Sequence, residues 1–322
     1  MDIIGTVLWP IKWAVELILV FWHWLFTTIG MNPVGGLTWV LSIVGLTVVV
    51  RAALIPIFVR QIKNQRRMLE VAPQLKKIQD KYKGKKDQFS REAMSRETMA
   101  LYKETGTNPL SSCLPLLLQM PIFFSLFQVL DNAQKGQAGI GPLNATLSNE
   151  LEHANLFGFA PLNMSFQAAM NHQPQLVGVM IVAAVMVALM TGSQFFTQLQ
   201  IVSKNMSPET KASPQFKQQR ILLYLLPFVF LFSGFAFPLG VMFYWLTSNV
   251  WTMCQQFLVI RNMPTPGSDA AKAREARLAR KGKLKTEDGN TVLSVEEEPK
   301  RQPQREQPMS KARAKKQSGG KK

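Results

Sequence analysis

Arg51 is the only charge in the apolar run LTWVLSIVGLTVVVRAALIPIFV, residues 37–59. An arginine at the centre of a membrane helix costs about 2.5–3.5 kcal/mol on insertion scales, so such residues face a bundle interior or a water-filled cavity. Thr47 precedes it by one helical turn and shares its face. Gln119 lies between Pro115 and Pro121 in a second apolar run. Along the last run, Tyr244, Thr247, Ser248, Trp251 and Gln255 fall on one helical stripe, widened by Asn249 and Gln256. The chemistry open to this set is charge and hydrogen bonding. It holds no nucleophile–base pair, and no Asp or Glu lies in any of the long apolar runs. Singly, each hydroxyl or amide reads as a bond between helices, worth about 0.6 kcal/mol. Arg51 does not reduce to that, because its five donors need acceptors. The set predicts a hydrated cavity around one positive charge, suited to acidic residues or a polar terminus of a passing substrate.

The elements that must hold these residues are membrane helices. The chain has 322 residues, is 47% hydrophobic and carries a net charge of +17. Five apolar runs are predicted to cross a bilayer: 37–59, 110–130, 176–196, 221–237 and 239–260. The last two are separated by Pro238 and form a tight hairpin. The fold class expected is an all-α polytopic membrane protein, five helices around a hydrophilic groove.

Charge sets the orientation. Segment 60–105 has 13 basic and 6 acidic residues, and the tail 261–322 has 17 and 8. Segment 203–220 is net +3, whereas 131–174 is net −2. Basic loops stay in the cytoplasm, so the N-terminus is expected outside and the C-terminus inside. Arg51 then lies about 12 Å, eight residues, from the cytoplasmic end of its run.

Four segments flank or join the runs. Residues 1–33, with Trp9, Trp13, Trp22 and Trp24, read as an extracytoplasmic interfacial helix rather than a sixth span or a cleaved signal. Residues 60–105 read as two antiparallel cytoplasmic helices. Their apolar stripes contain Ile62, Leu69, Leu75 and Ile78, then Phe89, Ala93, Met94 and Leu101, with a kink at Pro73. Segment 131–174 is rich in Gly, Asn, Pro and Ala and looks devoid of chemistry. The tail 261–322 is expected to be disordered, with enough basic residues to meet anionic lipid or ribosomal RNA. Cys113 and Cys254 read as small buried residues. His23, His153 and His172 lack ligand spacing, and no metal or cofactor is expected.

At these residues the sequence resembles the YidC/Oxa/Alb insertase family, in its shorter five-span form. The resemblance covers about 34–261. It rests on RAALIPIFVRQIK, NPLSSCLPLLLQMPIFFSLFQVL and PLGVMFYWLTSNVWTMCQQF, in that order, with a basic hairpin between the first two. It implies insertion and folding of nascent membrane proteins in the bacterial plasma membrane, alone or beside the Sec translocon, without enzymatic chemistry. It also implies that Arg51, Thr47, Gln119, Tyr244 and Trp245 line the substrate groove, and the stripe adds Ser248. Trp245 stands where the family commonly has tyrosine, and it lies off the stripe through Tyr244. The ribosome and the signal recognition particle receptor are expected partners of the hairpin and tail. The alternative from another class is a solute transporter or channel, which would conduct or take up solute in liposomes.

Overall fold

A run of apolar residues in a bilayer satisfies its own backbone best as a helix, and helices dominate this chain. The computed structural model describes residues 3–85, 87–106, 114–206, 208, 232 and 234–282. Its helices are α1 (Ile3–Thr28), α2 (Gly36–Ala53), α3 (Ile55–Lys81), α4 (Gln88–Glu104), α5 (Leu114–Ala133), α6 (Ala145–Glu152), α7 (Phe166–Asn171), α8 (Val177–Lys204), α9 (Leu239–Asn262) and α10 (Asp269–Arg280). Between α6 and α7 lies a small antiparallel hairpin of β1 (Asn155–Leu156) and β2 (Ala160–Pro161). The chain divides into two compact units, Met1–Arg274 and Glu275–Lys322. The second is described only to residue 282, where it forms the end of α10.

The runs at 37–59, 110–130, 176–196 and 239–260 fall on α2, α5, α8 and α9. Most of the run 221–237 and of the tail lies outside the described residues. Among those residues, α2 and α8 are long and apolar enough to cross a membrane by length and composition. Helix α9 has the length, 24 residues, but its polar stripe lowers its hydropathy.

The first run differs from expectation. It is not one helix: α2 ends at Ala53, Leu54 caps both helices, and α3 starts at Ile55 with Pro56 in its first turn. Proline lacks an N–H and is tolerated in a first turn but not in a helix interior. The consequence is that Arg51 stands in the last turn of α2, where the negative end of the helix dipole favours a cation. Two further expectations change. Cys254 is exposed on α9 rather than buried, and Phe89 on α4 is 82% exposed rather than part of a covered stripe. Helix α3 continues through Pro73 without ending.

The segment after α5, which looked featureless, is a folded cap. Asn144 and Ser165 accept backbone N–H bonds and start α6 and α7. The cap collects helix ends. Gly36, opening α2, touches the backbone of Asn155 so closely that a Cβ has no room. Leu239 and Gly240, opening α9, donate their N–H groups to Met164 and Leu162 carbonyls at 3.0 Å each. Strand β2 packs on α8, and Phe159 lies against Gly178 in its first turn. The N-terminal ends of α2, α8 and α9 therefore meet one segment, which itself grows from the C-terminal end of α5. The opposite ends of α8 and α9 also meet, through Thr265 N–H and the Asn205 side-chain oxygen at 2.8 Å.

Helix α1 packs on α2 and α5. Val15 and Leu19 join Trp39, Ile43, Leu126 and Leu130 in the buried core. Its Trp22 ring fits only because residue 45 is glycine: a Cβ there would sit 2.6 Å from the indole. The face turned away from the core is also apolar, with Trp9, Trp13, Leu17, Phe21 and Trp24 exposed.

Candidate functional site

Arg51 reaches from the last turn of α2 to α9, where its guanidinium donates to the Ser248 hydroxyl. One turn earlier on α9, the Tyr244 hydroxyl makes hydrogen bonds with Ser248 and with Gln119 of α5, and it feels the charge of Arg51. Three helices thus meet at a polar cluster of Arg51, Ser248, Tyr244 and Gln119. Tyr244 and Ser248 are buried, while Arg51 and Gln119 are partly exposed. Spacing explains the geometry. Tyr244 and Ser248 are four residues apart, so one face of α9 presents both, and Arg51 meets that face.

The other predicted groove residues sit differently. Thr47 is fully buried, and its hydroxyl donates to the Ile43 carbonyl of its own helix at 2.7 Å. Trp245 points into an aromatic stack: its ring is nearly parallel to Phe123 at 5.9 Å and edge-on to Phe237 at 4.9 Å. The structure therefore places Thr47 and Trp245 beside the cluster as packing, and brings the other four into hydrogen-bonding contact. In the rest of the α9 stripe, the Asn249 side-chain nitrogen is buried with no partner among the described residues, while other members bond locally. Thr247 donates to the Phe243 carbonyl, and the Trp251 indole donates to Gln255 at 3.0 Å.

Arg51 faces only uncharged groups among the described residues. A guanidinium offers five donors, and one hydroxyl is the protein acceptor seen for it there. In an apolar surrounding its remaining donors need water or a substrate acceptor. Such a cluster can hold a hydrated acidic or carbonyl-rich group.

One charged residue escaped the sequence reading. Glu16 of α1 is 1% exposed and accepts the backbone N–H groups of Ile140 and Gly141 at 2.9 and 2.7 Å. It ties α1 to the cap. The signal was present in the glycines at 139 and 141, where a Cβ would strike the Glu16 carboxylate and the Trp13 ring respectively, but nothing local links residues that far apart in sequence. His23 is likewise structural. Its ring stacks on Trp39 at 4.1 Å and its Nε2 lies 3.0 Å from the Pro33 carbonyl.

Comparison with known proteins places this geometry in context. Residues 30–266 match the model of the family described as 60Kd inner membrane protein. A protein of Tropheryma whipplei (strain Twist) named membrane protein insertase YidC is 45% identical over 318 residues, covering 98% of this chain and 97% of that one. Proteins of the same name from Streptomyces avermitilis and Bifidobacterium longum are 43% and 36% identical. Those alignments cover 86% and 84% of this chain, and 64% and 80% of the respective relatives.

Proposed function

This chain belongs to the 60Kd inner membrane protein family, the YidC/Oxa insertases, and is a membrane protein insertase; from that premise we propose how its residues carry the activity. A nascent apolar segment slides along α2, α5 and α9. Its polar flank occupies a hydrated groove at the cluster of Arg51, Ser248, Tyr244 and Gln119. Thr47 and Trp245 stiffen the walls. Desolvating that flank is the main barrier to insertion, and water held by the cluster lowers it. The observation that carries this reading is the bond from Arg51 to Ser248: a cation between apolar helices, met by a hydroxyl and left available to an incoming acceptor.

The proposal extends to topology. Five crossings put the N-terminus outside the bacterial plasma membrane, and the 131–176 cap on the same side. The shared cap over the starts of α2, α8 and α9 supports alternating crossings, since those helices must then run in one direction. Helix α1, packed under the cap through Glu16, lies at the outer interface. The α3–α4 hairpin and the basic tail face the cytoplasm. They receive the ribosome, the signal recognition particle receptor and anionic lipid headgroups, and the core works alone or beside the Sec translocon.

The test is reconstitution. Liposomes holding the purified protein should take up a single-span substrate and protect its translocated end from protease. Insertion no faster than into empty liposomes, accompanied by solute conductance, would overturn the groove reading in favour of a channel.

A further inference from the structure

The loop joining β1 and β2 is Phe157-Gly158-Phe159. Phe157 has φ of 55° and is 73% exposed, and Phe159 is 52% exposed. The two rings stack on each other at 6.1 Å. A bulky residue at positive φ is strained, and strain of this kind persists where something compensates it. For Phe157 the hairpin turn supplies that compensation: Gly158 follows at φ 81°, and the Phe159 N–H donates to the Leu156 carbonyl at 3.3 Å. What the turn does not account for is a partner for the two exposed rings.

The position of the tip indicates what that is. Phe159 rests on Gly178 in the first turn of α8. From there Val177, Ile181, Val185 and Leu189, one turn apart, form a stripe between 53% and 59% exposed. In a helix read as a membrane span, an exposed apolar stripe faces lipid. The Phe157–Phe159 tip is continuous with the upper end of that stripe. We propose that the β-hairpin tip is a lipid anchor, with both phenylalanine rings inserted at the headgroup–acyl boundary beside the start of α8. Aromatic residues on interfacial elements bury about 5–10 Å into that region. Because the hairpin backbone is bonded into the cap over α2, α8 and α9, the anchor fixes the depth of these helices relative to the bilayer surface.

This inference rests on reading α8 as a membrane span, and the experiment separates the two. In a Cys113→Ser, Cys254→Ser background, single spin labels are placed at Phe157→Cys, Phe159→Cys, Val185→Cys and Asn149→Cys in proteoliposomes. Collision with oxygen is then compared with collision with a water-soluble nickel chelate. The labels at 157 and 159 should behave as lipid-exposed, like that at 185, with oxygen accessibility well above nickel accessibility. The exposed α6 position 149 should show the reverse. Aqueous labels at 157 and 159 beside a lipid-exposed 185 would overturn the anchor and leave a protein surface as the tip's partner. An aqueous label at 185 would overturn the span reading itself, and the anchor with it.

Discussion

Glu16 and Arg51 both sit among apolar helices, and the chain treats them in opposite ways. Glu16 is sealed: 1% exposed, with two backbone N–H groups donating to its carboxylate. Arg51 is partly exposed and shares a hydroxyl with the protein. A buried carboxylate that accepts backbone donors is a structural tie, because the donors are fixed in position and satisfied by it. An arginine given one weak acceptor in an apolar setting has capacity left for something else. At Glu16 the contact between α1 and the cap is thus satisfied, while the three-helix junction of α2, α5 and α9 holds a charge that is still available. That contrast is what separates a structural tie from the substrate contact proposed for Arg51.

The strongest test of the contrast is at Glu16. Glu16→Ala should lower the stability of the purified protein by about 2–4 kcal/mol, since it removes two charge-assisted bonds from part-buried backbone N–H groups. Thermal unfolding in detergent reads this directly. A loss as small as that of an exposed substitution would mean that the cap holds without the tie.

Arg51→Ala should do the converse. Unfolding should change little, whereas insertion of substrates with acidic translocated segments should fall about tenfold, the worth of one charge-assisted hydrogen bond. Neutral substrates should lose less. Equal loss for both would break the electrostatic half of the comparison, and Arg51→Lys then separates charge from the guanidinium fork.

The smallest effect belongs to a third ionic case, the exposed hairpin pair. Lys81 and Tyr82 donate to Glu97 at 2.5 and 2.8 Å. The bond from Lys81, then that from Tyr82, holds the Glu97 carboxyl below its usual range, and Glu97 in turn raises Lys81. A lowered carboxyl contributes stability above its ordinary range and loses it as pH falls through the lowered value. Acidification should therefore loosen α3 from α4 slightly, as read by protease sensitivity at the 82–87 turn. High salt should mute the change, and Glu97→Gln should abolish it. Loss of protection that persists in Glu97→Gln would place the acid sensitivity elsewhere.

Much of the helical layout was legible from the chain. Long apolar runs must satisfy their backbone internally, which put helices at α2, α5, α8 and α9; the starts of α2, α8 and α9 fall within one residue of expectation, but α2 ends at 53 rather than 59 and α8 continues to 204 rather than 196. The exception at Leu54 was legible too, since Pro56 is visible in the sequence, but apolar continuity to Val59 outweighed it in the reading. The cap was not legible. In a segment rich in Asn and Gly, nothing marked Asn144 for its role, which is to start α6 by accepting the Leu147 N–H at 2.9 Å. A 131–176 segment of polar and small residues carries little periodicity, and its order comes from helix ends contributed by distant parts of the chain. Phe89 shows the opposite failure: helical spacing put it on an apolar stripe, but α3 does not cover it.

The sequence alone determined that this protein is mostly helical and that Arg51 has no acid near it along the chain. Those follow from local hydropathy and charge, which act residue by residue. Only the tertiary structure decided that Arg51 meets Ser248 rather than Thr47, that Tyr244 links Gln119 to the same cluster while Trp245 joins Phe123 and Phe237, and that Glu16 is bonded into the cap. A hydrogen bond requires donor and acceptor within about 3 Å, and residues 197 positions apart, like Arg51 and Ser248, reach that separation only when helix packing sets both position and rotation.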